Sequence, residues 1–185
     1  MSATQHEYIG DIFTSGQHLL SLINDILDLS KVEAGMMTLE LEPADLNRLL
    51  SGSLSIVKEK ALTQRLRLEL EIQEYLGVLQ LDTRKTKQIV YNLLANAVKF
   101  SANGGCVTLR ARRVPRAEVG TLSAIWPVYS FALANNEFNE FLELTVTDSG
   151  IGISENNMAK LFQAFSQIDS SPATPSEVRW KTARM

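Results

Sequence analysis

With 185 residues, the chain has room for one ordinary domain, or for one domain with a helical appendage. Apolar residues make up 45% of it, enough for a sizeable core, and a formal net charge of -3 gives no general pull toward nucleic acid or an anionic membrane. Cys106 is the lone cysteine, which excludes an internal disulfide framework and cannot build a zinc site by itself. A cytosolic, reducing compartment follows as the expectation. No apolar run reaches the length of a bilayer span and the N-terminus lacks a signal-peptide pattern, so the anchor of any membrane-bound parent is expected outside this chain.

Residues 4–34 predict one long helix. Ile9, Ile12, Phe13, Gly16, Leu19, Leu20, Ile23, Ile26, Leu27 and Ser30 recur at steps of three and four. Thr4 can cap its start with Glu7 as capping-box partner, and Gly35 suits a left-handed position at its end. The stripe is too apolar for a solitary helix and calls for other helices in a bundle. Beyond it, "MMTLELE" alternates as a strand and "ADLNRLLSGSLSIVKEKAL" predicts a helix behind Pro43. In "RLRLELEI", Leu66, Leu68, Leu70 and Ile72 face one way while Arg65, Arg67, Glu69 and Glu71 face the other. "GVLQLD" predicts a short strand, "TRKTKQIVYNLLANAVKFS" a helix, "CVTLRARRV" and "EFLELTVTD" two strands that can pair antiparallel, and residues 154–166 a last helix. The long connection at residues 115–139 contains Trp126, Tyr129 and Phe131, which argue against simple disorder. Together these elements predict an α/β fold: a two-layer α/β sandwich with a mixed sheet, preceded by a long N-terminal helix.

Two stretches carry chemistry. In "NLLANAVKFS", Asn92, Asn96 and Lys99 share a face about 60° wide at helical pitch, beside a stripe of Ile89, Leu93 and Phe100. Amide oxygens are hard donors suited to Mg²⁺, and an ammonium can meet a phosphate as a point charge. The same pattern is also what the solvated side of any amphipathic helix carries. In "FLELTVTDSGIG", Asp148 has the parity of Leu142, Leu144 and Val146, so strand alternation aims its carboxylate at the buried side. Burying it calls for a partner, and the amino group of a purine is one. Gly150 and Gly152 remove side chains where a flat ring or ribose would approach. A plain Asp-Ser-Gly turn, with Ser154 capping the next helix, is the other reading of these residues.

In combination, "QIVYNLLANAVKFS", "VTDSGIGIS" and "LFQAFSQIDSS" resemble the N, G1 and F boxes of sensor histidine kinases, part of the superfamily that includes gyrase-type and Hsp90-type ATPases. "SGQHLLSLINDILDLSKVEAG" resembles the second helix of the kinase dimerisation and phosphotransfer domain. The resemblance covers about residues 4–171. It implies residues 1–35 as part of that helical hairpin, 36–171 as an ATP-binding catalytic domain and 172–185 as an atypical tail. It further implies ATP and Mg²⁺ as ligands. Asn96 would ligate the metal with Asn92 assisting, Lys99 would approach the phosphates, and Asp148 would accept from the adenine amino group. Gly150 and Gly152 would line base and ribose, and Phe162 and Phe165 would pack beneath the lid, although their spacing also fits plain core. The implied partners are a response regulator receiver domain and a second copy joined through the parent's helical bundle, with no nucleic acid.

Two parts of the family pattern are not found. His6 is followed by Glu7 but not by an Arg-Thr-Pro run, so no phosphoacceptor is expected in this chain, and His18 is expected to be structural. After the F box, "PATPSEVRWKTARM" stands where a glycine-rich phosphate loop is expected. Codons compatible with "SEVRWK", read one base later, can encode Lys-Phe-Gly-Gly, so a frameshift near residue 172 is one expectation. A fragment without acceptor or phosphate loop is expected to be a poor kinase on its own. The alternatives are a non-catalytic module that pairs with kinase bundle helices, or another ATPase of the superfamily. The second is opposed by Asn92, which stands where those enzymes place a water-activating glutamate.

Overall fold

The computed structural model describes residues 3–119 and 137–153. It divides into two compact units, residues 1–40 and 41–185.

The first unit is the helix α1 (Ala3–Glu33). Thr4 lies within the described span of this helix. Its end is closed by backbone alone. Gly35 takes φ +64°, and the Met36 N–H donates to the Lys31 carbonyl at 2.8 Å, the six-to-one bond of a Schellman motif. Ile9, Ile12, Phe13, Leu19, Leu20, Ile23, Ile26 and Leu27 are all exposed, so α1 carries an apolar stripe at its surface. His6 is exposed as well.

The predicted strand at "MMTLELE" is not formed as a whole. Residues 36–41 are irregular, and the strand β1 is Glu42–Ala44. A strand extends only as far as its partner, and β3 (Leu79–Leu81) offers three residues, antiparallel, from Glu42↔Leu81 to Ala44↔Leu79. Helix α2 (Leu46–Thr63) follows, capped by Asp45, whose side chain accepts from the Arg48 N–H at 3.0 Å. The strand β2 is Arg67–Ile72, two residues shorter than its alternation suggests. Arg65 takes φ +54° and the Leu66 N–H donates to the Ala61 carbonyl at 2.9 Å, so those two residues close α2. Helix α3 (Thr83–Phe100) is capped by Asp82 in the same manner, from the Lys85 N–H at 2.9 Å. Strands β4 (Cys106–Pro115) and β5 (Glu140–Asp148) complete a sheet of order β2-β4-β5. β2 pairs parallel with β4, and β4 pairs antiparallel with β5, so the sheet is mixed.

Two layers follow from side-chain periodicity. Val107, Leu109 and Ala111 of β4 and Leu144 and Val146 of β5 face α2 and α3, which contribute Leu46, Leu49, Leu50, Val57, Val90, Leu94 and Val98 to the same buried cluster. The sheet's other face carries polar pairs: Glu69 with Thr108, Glu71 with Arg110, and Arg112 with Glu143. Among the described residues, no helix is long and apolar enough to cross a membrane.

Leu94 has no exposed surface and sits where α3 meets the sheet. Leu94→Ala is expected to remove about 2–5 kcal/mol of stability. Urea unfolding should show this as a lower midpoint with an unchanged slope.

Candidate functional site

The core face of α3 differs from the stripe that stood out in the sequence. Val90, Leu94, Ala97 and Val98 are its buried residues, whereas Ile89 is 42% exposed and Leu93 and Phe100 are half-buried. At helical pitch, the centre of the buried set lies about 180° from that of Asn92, Asn96 and Lys99. These three therefore stand on the solvent side, and all are exposed. Ile89, Leu93 and Phe100 form an apolar strip between them and the core. α3 carries apolar residues on more than its buried face, and their identity does not say which face meets the sheet. The Lys99 ammonium lies 5.1 Å from the centre of the Phe100 ring, a cation–π contact.

Asp148 ends β5. It is only 4% exposed, opposite the fully buried Val107 on the helix-facing side of the sheet. Its Oδ1 accepts from the Gly150 N–H at 2.9 Å, which folds the side chain over the start of the turn. From here the chain leaves β4 and crosses to the end of α3. Ser101 and Gly150 form an isolated antiparallel bridge, and the Ile151 N–H donates to the Phe100 carbonyl at 3.3 Å. This junction joins the helix that carries Asn92, Asn96 and Lys99 to the strand that carries Asp148.

The glycines of the turn answer to different constraints. A Cβ at Gly150 would collide with the Phe100 carbonyl and come within 2.6 Å of Asp148 Oδ1. The room left by that missing side chain is thus taken by the protein's own backbone and carboxylate. Gly152 has φ +70°, a conformation that disfavours any side chain. Phe162, Phe165, Ser154 and the helix predicted at 154–166 lie outside the described residues, as do Trp126, Tyr129, Phe131 and the segment 172–185.

Sequence reasoning missed the participation of Gly105 and the Ser149 hydroxyl. The Cys106 N–H donates to Ser149 Oγ at 2.9 Å, and a Cβ at Gly105 would overlap that same oxygen. The paired glycines of "ANGGC" were the available signal. Among the described residues, no three His, Cys, Asp or Glu side chains gather as a metal site. Asn92 and Asn96 are among the residues that bring amide oxygens to the exposed face of α3.

The two-layer α/β sandwich with its mixed sheet is of the histidine kinase ATPase-like fold. The chain belongs to the histidine kinase-, DNA gyrase B- and HSP90-like ATPase family, whose model matches residues 81–178. Within that family it is a sensor histidine kinase ATP-binding module. It is 39% identical over 173 residues to the circadian input-output histidine kinase CikA of Synechococcus elongatus, covering 92% of this chain and 20% of that protein. It superposes on full-length ShkA, a crystal structure in complex with AMPPNP, with a TM-score of 0.67 and 27% identity over 90% of this chain and 31% of that one. A complex of the histidine kinase ThkA with the response regulator protein TrrA shares the fold, with a TM-score of 0.56 at 18% identity over 90% of this chain and 42% of that one. The chain spans about a fifth of the length of the curated relatives it matches.

Because the tightest contact at Gly150 is with the Phe100 backbone carbonyl, it cannot be relieved by a rotamer change. Gly150→Ala is expected to destabilise the chain by about 1–3 kcal/mol. Calorimetry should register this as a lower Tm in the absence of any nucleotide.

Proposed function

We propose that this chain binds ATP with Mg²⁺ and presents it, in the whole protein, for phosphoryl transfer to a histidine in two-component signalling. The observation that carries the reading is the buried carboxylate of Asp148 at the point where β5 leaves the sheet for the end of α3. An ionised carboxylate has about four acceptor positions, so it can take the Gly150 N–H and an adenine amino group together. In a low-dielectric setting such a contact discriminates strongly, because a base lacking the donor leaves the carboxylate poorly met.

The remaining assignments follow from placement. Asn96, with Asn92 one turn away, offers hard amide oxygens on the exposed side of α3, a donor set that suits an ion which keeps several waters and leans on phosphate oxygens. Mg²⁺ held there would neutralise charge on the nucleotide's phosphates. Lys99 adds an ammonium on the same face for the phosphates. Gly150 and Gly152 shape the turn beneath base and ribose, and Phe162 and Phe165 are assigned to the ground under the lid. The chain's own part in the reaction is binding and orientation, which dominate phosphoryl transfer.

The exposed apolar stripe of α1 supports pairing with further bundle helices, hence a homodimer of the whole protein. By the likeness to the ThkA complex, a response regulator receiver domain is the phosphate's next destination. His6 is assigned to the helix surface and the phosphoacceptor to another segment of the whole protein.

Titration of the chain with a non-hydrolysable ATP analogue, with and without Mg²⁺, tests the reading. Asp148→Ala is expected to weaken binding about tenfold or more and to erase the preference for adenine over guanine. Asn96→Ala should instead abolish the gain that Mg²⁺ brings. Wild-type chain that binds no analogue at millimolar concentration would sink the proposal.

A further inference from the structure

The β4–β5 ladder pairs Val107 with Asp148, and the next opposed residues are Cys106 and Ser149. One bond of that next pair is ordinary: the Ser149 N–H donates to the Cys106 carbonyl at 3.2 Å. The return bond is not made by backbone. The Cys106 N–H donates instead to Ser149 Oγ, at 2.9 Å. By this point the main chain has swung toward α3, where the Ile151 N–H reaches the Phe100 carbonyl. The hydroxyl thus stands in for a strand carbonyl, and one turn bonds in two directions at once. Its seat is shaped for it, because a Cβ at Gly105 would overlap Ser149 Oγ and lie 2.9 Å from the Ala102 carbonyl.

The geometry points to Ser149 as a positioning residue for nucleotide recognition: its hydroxyl, seated over Gly105 on the Cys106 amide, fixes the turn that directs the Asp148 carboxylate toward the base. This rests on the ATP reading given above. Asp148 is the residue immediately before the clasp. On one side it is held by the β4 ladder, and on the other by the crossing to α3. Removing the hydroxyl leaves the crossing intact but frees the strand end, so the carboxylate keeps its chemistry and loses its direction. Ser149 is exposed, so water can replace the lost acceptor at Cys106 and the effect on folding is small. The same exposure leaves room for the extra methyl of threonine, which supplies the same hydroxyl.

The test uses the full chain as wild type, Ser149→Ala and Ser149→Thr. Hydrogen exchange of the Cys106 amide, followed by NMR without nucleotide, reads the clasp itself. Titration with ATP and with GTP reads direction at the base. In Ser149→Ala, amide exchange is expected to accelerate about threefold to tenfold, and the preference for ATP over GTP to fall by a similar factor with GTP affinity unchanged. Ser149→Thr should restore both. A purely structural hydroxyl would lower the Tm without moving the ratio of the two affinities, and that result would overturn the proposal. So would unchanged Cys106 exchange in Ser149→Ala. A wild-type chain with a slowly exchanging Cys106 amide but no ATP binding would overturn the nucleotide reading, and the positioning role with it, while the clasp stood.

Discussion

The arrangement depends on one short crossing, in which the chain leaves the end of β5 and bonds to the last residue of α3. The Ile151 N–H on the Phe100 carbonyl and the bridge of Ser101 with Gly150 are the contacts that make it. A helix and a strand far apart in sequence would otherwise relate to each other only through side-chain packing, which tolerates small slides. Backbone hydrogen bonds do not tolerate them. The junction therefore sets the distance and angle between the amide face of α3 and the carboxylate of β5, and it does so within the protein. Glycine at 150 is the condition for this closeness, since no side chain fits against the Phe100 carbonyl.

Burial supports the same geometry from below. Val98 and Ala97 sit directly before the junction on α3, Val107 lies opposite Asp148, and Val146 precedes it on the same face. These small, branched or compact residues pack closely and hold both partners without room for rotation. The far side of the sheet is held differently. Glu143, 5% exposed, accepts from Arg112 Nε at 2.9 Å and from the Thr145 hydroxyl at 3.2 Å. That bonding with the carboxylate keeps the Arg112 guanidinium raised above its ordinary pKa. One face of the sheet is thus fixed by packing and the other by polar pairs across strands.

Much of this was legible because period and parity are local properties. The alternation of "FLELTVTD" places Asp148 with Leu144 and Val146, and the structure has all three buried. The mixed two-layer sandwich follows from the order of helices and strands. What was not legible depended on partners distant in sequence. "MMTLELE" alternates well, yet β3 is too short to pair with it, so the strand forms only at Glu42–Ala44. Arg65 and Leu66 belong to the strand by pattern and to the helix end by hydrogen bonding. On α3, Ile89 and Val90 are equally apolar, and only the sheet decides that Val90 is buried. The seat at Gly105 needed two distant segments in space at once: the turn before β4 and the residue that follows the end of β5.

The β4–β5 ladder is long, running from Val107↔Asp148 to Pro115↔Glu140. At strand rise, its two ends stand about 27 Å apart. The connection between the strands departs from the end away from Asp148, and that end is clamped by its own bonds, with the Arg116 N–H on the Asn139 carbonyl at 2.8 Å. Register at Asp148 is therefore insulated from whatever happens between Pro115 and Glu140. A longer or shorter connection there is expected to leave the carboxylate at the other end undisturbed.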